Sequence, residues 1–466
     1  MSEIPFWSAI ETADRIRAKD VSVVEVTEAH VARMQAANPA INAVTETVAE
    51  ALNVARALDE AGIPDTPSPL HGVPVTVKSN VDQIGYPTSN GVPAFKDLVA
   101  TENSPVVGNL QNGGAVIIAR TNTPEFSLRW CTSNPLHGVT LNPWDNSVTP
   151  GGSSGGAAAC VASGIGAIGH GNDLGGSLRY PAYCCGVASI RPSLGRVPAY
   201  NPGQAAERPA VTQSMSVQGP IARSIADVRA ALRVMSAPDA RDPNQSQAAH
   251  NGRKRGDEIT VGFATNPFGT TIDPAVEDAM TRAIQGLRDA GITTREVTPP
   301  SIPELAQLWG DLLFTETHHT SRSVMEQLGS PEMQVLIQTY SDRSEQLGIE
   351  GYIDALTRRG RIQREWSLMF NDVDLLLMPT SLVKPFENDL DFKTPAKIPY
   401  ILDAQAPLYV VNTLGLPAAA LPTHLDNGVP VGVQLVGPML DDWFVLDVAE
   451  RLERELGTIW SQLNAH

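Results

Sequence analysis

The sequence predicts an α/β layered fold, and three observations carry that prediction. Short β-branched, apolar runs at residues 73–77 and 115–119 flank a helical pattern at 104–112. A second strand–helix–strand series follows at 259–263, 274–290 and 293–297. Hydrophobic residues supply 42% of the 466-residue chain and charged residues only 18%, enough for a large core and too little charge for disorder. Strands alternating with helices stack in layers, and strands buried on both faces read as continuous apolar runs.

The elements follow in order. Ser22 and Glu25 have capping-box spacing ahead of Val26, His30, Val31 and Met34, so the chain begins in helix. An amphipathic run over 40–61 extends it. After Gly62 the run 73–77 leads, as a strand, into Lys78. Residues 150–203 are rich in Gly, Ser and Ala, which lets backbones approach one another or a ligand closely. Ser224 and Asp227 open a helix to about Met235, and the polar, proline-bearing stretch 238–258 reads as a linker or surface loop. Long helical patterns cover 303–328 and 351–371. Apolar strands at 375–378, 418–421 and 431–436 then precede a helix at 443–456. The expected division is a helical segment 1–62, a core 63–236 bearing the Lys and Gly/Ser motifs, a surface loop 237–258, and the remaining sheet and pocket helices 259–466. No internal repeat is visible, and glycine (38) and proline (36) follow no fixed period, which removes collagen and solenoids.

Composition excludes several functions. A net charge of −17 repels phosphate backbones, so nucleic acid is not a direct partner. Apolar stretches are broken well short of a membrane span, and the first twenty residues lack a basic-then-apolar signal, so a cytoplasmic protein is expected. Four cysteines without a CxxC pair argue against a disulfide framework and structural zinc.

Chemistry concentrates in two blocks: Pro150-Gly151-Gly152-Ser153-Ser154-Gly155-Gly156, and Gly171-Asn172-Asp173-Leu174-Gly175-Gly176-Ser177-Leu178-Arg179. The N–H groups of Leu174, Gly175, Gly176 and Ser177 converge if this loop curls, and such donors stabilise a developing oxyanion. Ser177, opening a helical-looking segment 177–184, is well placed as an acyl-transfer nucleophile. A serine needs a base. Among nine histidines none accompanies these blocks, and His170 reads as a strand-end residue. Lys78, behind an apolar strand, is the better candidate, because burial disfavours its ammonium and yields neutral amine near pH 7. A second serine can pass the proton between them.

These motifs resemble the amidase signature family. Its Gly-Gly-Ser-Ser-Gly-Gly block, its later Gly-Gly-Ser-hydrophobic-Arg block and its upstream lysine occur here in order, with Ser153 and Ser177 at the family's usual separation of 24. The resemblance also covers Ala119 to Phe126, Asn142-Pro-Trp144, Arg191 to Arg196, Gly415-Leu-Pro417 and Val429 to Gln434, most of the chain. It implies a mixed sheet covered by helices on both faces in one large domain. It implies Ser177 as nucleophile, Ser153 as a bridging serine in a cis peptide and Lys78 as base. Ser154 is then a structural hydrogen-bonder, and Asp173 and Arg179 brace the loop. The implied activity is cofactor-free and metal-free hydrolysis of a linear carboxylic amide, or a related ester or carbamate. Aryl or indolyl amides form the first panel. The alternative within the family is the glutaminase-type subunit of a tRNA-dependent amidotransferase. Asn172 and Leu174 stand where threonine is common, and Arg191 and Ser193 replace a usual Lys and Thr; none is expected to touch the triad.

Other features read more plainly. Gly151-x-Ser153-x-Gly155 satisfies the nucleophile elbow, but no strand runs into Pro150 and no Asp-then-His pair follows. His318 and His319 lack the spacing of a zinc pair, so a solvated or pocket role is expected. Cys160, Cys184 and Cys185 read as inert packing. Trp130, Trp309 and Phe314 are candidates for an aromatic acyl pocket, with core packing equally open. A homodimer would be unsurprising.

Overall fold

The computed structural model describes residues 3–204, 206–246 and 258–463, and in it the apolar runs assemble into one eleven-stranded mixed sheet. Its strands are β1 (Val44–Thr47), β2 (Pro74–Lys78), β3 (Val116–Thr121), β6 (Ile168–Asp173), β7 (Ala188–Arg191), β8 (Val217–Ala222), β9 (Thr260–Phe263), β10 (Thr293–Glu296), β11 (Leu375–Pro379), β12 (Ala418–Asp426) and β13 (Val429–Val436). β4 (Ser133–Asn134) and β5 (Gly138–Val139) form a separate ribbon. The spatial order is β1-β3-β2-β6-β8-β7-β12-β13-β11-β9-β10. β3, β2 and β6 run parallel, as do β11, β9 and β10, and every pairing from β6 across to β11 is antiparallel.

The layers follow from side-chain alternation. On β3, Val116 and Ile118 pack with Val26, Ala51 and Val161 of the helices Val23–Ile41, Ala51–Ala61 and Gly155–Ala162. Ile117 points the other way, into the cluster that holds Leu110 and Val228 of the helices Pro105–Asn112 and Ile225–Met235. The fold is a single α/β domain with helices on both faces. The Ser22–Glu25 capping box is present. No helix among the described residues is long and apolar enough to cross a membrane.

Four expectations change. The run 40–61 is not one helix: Asn42 turns left-handed at φ 50, the β-branched Val44–Thr47 pairs with β3 and covers that edge, and helix resumes at Ala51–Ala61. The run 303–328 breaks at Ser321 into Ile302–Thr320 and Arg322–Leu328. The helix after the second Gly/Ser block spans Arg179–Cys185, so Ser177 lies in the preceding loop rather than on the helix. His170 is the third residue of β6, not a strand end, because pairing with β8 carries the strand on to Asp173. Of the expected surface loop 237–258, residues 247–257 lie outside the described residues.

β2 and β6 are parallel neighbours, so their carboxyl ends emerge side by side. That places Lys78 next to Asn172 and Asp173, where open α/β sheets commonly gather their reactive groups.

Candidate active site

Lys78 ends β2 with no exposed surface. Its Nζ lies 2.6 Å from Ser153 Oγ, 3.1 Å from Ser154 Oγ and 2.8 Å from Asn172 Oδ1. Both serines belong to the turn into the helix Gly155–Ala162, which packs on β2 and β6, and the Gly152–Ser153 peptide is cis. Burial drives the Lys78 pKa well below its ordinary value, and the Asp173 charge opposes the shift only in part. The departure at Asn172 therefore does meet the lysine, contrary to the expectation that substitutions lay clear of it: its amide oxygen is one of the three partners.

Ser177 sits in the loop beyond β6, and Asp173 holds that loop from within. Asp173 Oδ1 accepts from Gly176 N–H at 2.8 Å and Oδ2 from Leu178 N–H at 3.2 Å. Arg179 donates to both carboxylate oxygens at 3.1 Å and also reaches Gln434, the Leu408 carbonyl and Asn412. Burial alone would raise the Asp173 carboxyl, but the Arg179 and Arg191 guanidiniums and Asn412 hold it below the usual carboxylate range. One of the four expected oxyanion donors is thereby committed elsewhere. Gly176 N–H points at Asp173, while those of Leu174, Gly175 and Ser177 have no acceptor among the described residues. Gly176 adopts φ 103, and a Cβ there would strike Leu408, so no other residue fits.

Two hollows meet at Ser177. One, of about 170 Å³, is of mixed character and is lined by Ser153, Ser177, Asn80, Asn172, Arg208 and Gln218 among others. The other, about 30 Å³, is walled by Trp130, Gly175, Trp309, Phe314 and Tyr340. Trp309, Phe314 and Tyr340 also line a 290 Å³ cavity, with Tyr409 and Leu402. The three aromatic residues singled out in the sequence thus converge. Tyr340 and Tyr409 were missed, because their helices, Pro331–Asp342 and Ala406–Leu414, carry no motif. Asn412, on the second of these helices, was missed as a partner of Asp173 for the same reason; Arg191 was noted only as a departure, and its approach to Asp173 from β7 depends on strand pairing.

His170 is buried, pairs through Nε2 with Gln218 Oε1 at 2.9 Å, and is held down to about 3 by burial first, so it stays neutral and forms no bond to either serine. His318 and His319 end the helix Ile302–Thr320 in solvent, and no metal-holding cluster occurs among the described residues. The four cysteines are free and buried, with burial pushing their thiols up.

The family model described as Amidase matches residues 25–446. The chain belongs to the amidase signature family. This amidase is 43% identical to an indoleacetamide hydrolase of Bradyrhizobium diazoefficiens over 98% of its own length and 88% of that protein's. It is more distant, at 32%, from a glutamyl-tRNA(Gln) amidotransferase subunit of Chloroflexus aggregans, over 97% of each chain. Its structure superposes on a bacterial aryl acylamidase of the amidase signature family with a TM-score of 0.84, covering 100% of this chain and 99% of that one at 26% identity. It is an enzyme that hydrolyses carbon–nitrogen amide bonds.

Proposed function

We propose that this amidase hydrolyses aryl-acetamide substrates, indole-3-acetamide first among them, to the arylacetic acid and ammonia through an acyl-enzyme on Ser177. The observation that carries the mechanism is the buried Lys78 Nζ 2.6 Å from Ser153 Oγ, with Ser153 and Ser177 lining one hollow. Identity to the indoleacetamide hydrolase and the aromatic wall beside Ser177 support the substrate class.

A neutral amine has two N–H donors and one lone pair. Ser154 Oγ and Asn172 Oδ1 take the donors, which leaves the lone pair for the Ser153 hydroxyl proton. Lys78 then draws a proton through Ser153 as Ser177 Oγ attacks the amide carbon. The free N–H groups of Leu174, Gly175 and Ser177 receive the oxyanion. The relayed proton leaves with the amine as ammonia, and water attacks the ester along the same path to release the acid and restore Ser177.

The test is turnover of indole-3-acetamide, phenylacetamide, propionamide and glutamine, with fluorophosphonate labelling mapped by mass spectrometry. The aryl-acetamides should lead the panel, and Ser177→Ala should lose both turnover and label. A preference for glutamine would favour the amidotransferase-type reading. A label that survives Ser177→Ala and disappears in Ser153→Ala would move the nucleophile to Ser153.

A further inference from the structure

We infer that Trp309 and Trp130 are positioning residues, whose indole N–H groups pin the carbonyls of the 174–176 loop and so aim the Gly175 N–H at the reacting carbonyl. This rests on Ser177 being the nucleophile. Trp309 Nε1 donates to the Leu174 carbonyl at 3.0 Å, and Trp130 Nε1 to the Gly175 carbonyl at 3.0 Å.

A trans peptide is planar, with its C=O and N–H pointing in opposite directions. The Leu174 carbonyl shares a plane with the Gly175 N–H, so Trp309 fixes the direction of a donor that has no acceptor among the described residues. The next plane is held at both ends: Trp130 takes the Gly175 carbonyl and Asp173 the Gly176 N–H. That plane anchors the loop and offers no donor itself.

Both indoles are only 6% exposed, and neighbouring rings hold them. Trp309 stacks on Tyr409 with centroids 4.7 Å apart and meets Phe314 edge-on at 5.9 Å, while Trp130 lies 6.2 Å from Tyr340. A Cβ on Gly175 would come within 2.9 Å of Trp309 Cζ2, so glycine is what lets the indole close on the loop. The wall that faces an aryl acyl group thus also sets the oxyanion geometry.

Trp309→Phe keeps an aromatic ring and removes the donor. With indole-3-acetamide, kcat should fall by about 10–100-fold, somewhat less than removal of an oxyanion donor itself, while KM moves less than about threefold. Affinity for an aryl trifluoromethyl ketone, which forms a tetrahedral oxyanion adduct, should fall by the same factor as kcat, with arylacetic acid binding unchanged. Trp130→Phe should show the same pattern to a smaller degree, because Asp173 still holds its peptide. Equal weakening of ketone and acid, an unchanged kcat, or a greater loss in Trp130→Phe would overturn the inference. Fluorophosphonate mapping on the wild type separates the two claims. A label away from Ser177 defeats the mechanism itself, whereas a Ser177 label without the ketone–acid split defeats only the clamp.

Discussion

Residues 150–191 hold Ser177 and its loop, residues 302–414 supply Trp309, Phe314 and Tyr340 beside it, and the two regions are built differently. In the first, Asp173 meets Gly176, Leu178 and Arg179, all within six positions of it in the chain. Lys78 comes from elsewhere, brought in by the parallel pairing of β2 with β6, and Asn412 and Gln434 reach Asp173 and Arg179 from the distant half of the chain. In the second, Trp309, Phe314, Tyr340 and Tyr409 arrive on three separate helices and meet ring to ring. In the proposed mechanism the first arrangement holds charge and proton positions, while the second supplies an aromatic surface and, through Trp309, also steadies the loop.

Apart from Trp309, whose indole N–H also holds the loop, that contrast breaks if changes on the two sides have the same signature. The largest effect is expected at the base. Lys78→Met, which keeps the apolar stem, should lower kcat on the order of 10⁴-fold for every substrate alike, since general base catalysis is lost. A substrate-dependent loss would place Lys78 in recognition instead. Next comes Asp173→Asn, which leaves the buried Arg179 without its carboxylate and Arg191, 3.9 Å away, without its nearest charge. Breaking such a buried set should destabilise by about 3–5 kcal/mol in urea unfolding; a wild-type midpoint would show that the loop holds without it.

On the aromatic side the effect should be smaller and selective. Phe314→Leu should lower kcat/KM for indole-3-acetamide by about tenfold, the range of one altered apolar contact, and leave propionamide nearly untouched. An equal loss on both would dissolve the division between the two regions. The smallest effect is one of pH. His170→Gln should leave the acid limb of kcat/KM at its midpoint, because His170 is already neutral down to about 3. The same shift acts on stability: His30 and His170 are both held down to about 3, so between about 6.5 and 3 the unfolded chain binds protons that the native chain does not. Stability should therefore fall as pH drops through that window, read as a lower urea midpoint at pH 4.5 than at pH 7.5.

The same contrast decides what was legible in the sequence. Ser153, Ser177, Asp173 and Arg179 stood out because they fall in two short glycine-rich blocks, and Lys78 because an apolar strand leads into it and the family resemblance places a lysine upstream. The strand–helix alternation was legible for β2 and β3, which are apolar and β-branched, and for β9 and β10 through the helical pattern between them. β6 was legible only up to His170, read as a strand end, since Gly171 and Asn172 have little strand propensity and are held there by β8. Asn172 was noticed as a departure, but its contact with Lys78 depends on the register of two strands that no local pattern encodes. The pairing of Trp130 with Trp309, and of both with the loop carbonyls, joins the two halves of the chain and left no trace in spacing.

The central claim is that residue 78 is an uncharged amine at working pH. It is tested most directly by ¹⁵N-lysine NMR of the side-chain Nζ, with Lys78→Met identifying the resonance. A neutral-amine shift at pH 7.5, turning to ammonium on the acid side with the same midpoint as the loss of kcat/KM, is the expected result. An ammonium shift persisting to pH 9 in a fully active enzyme would contradict it.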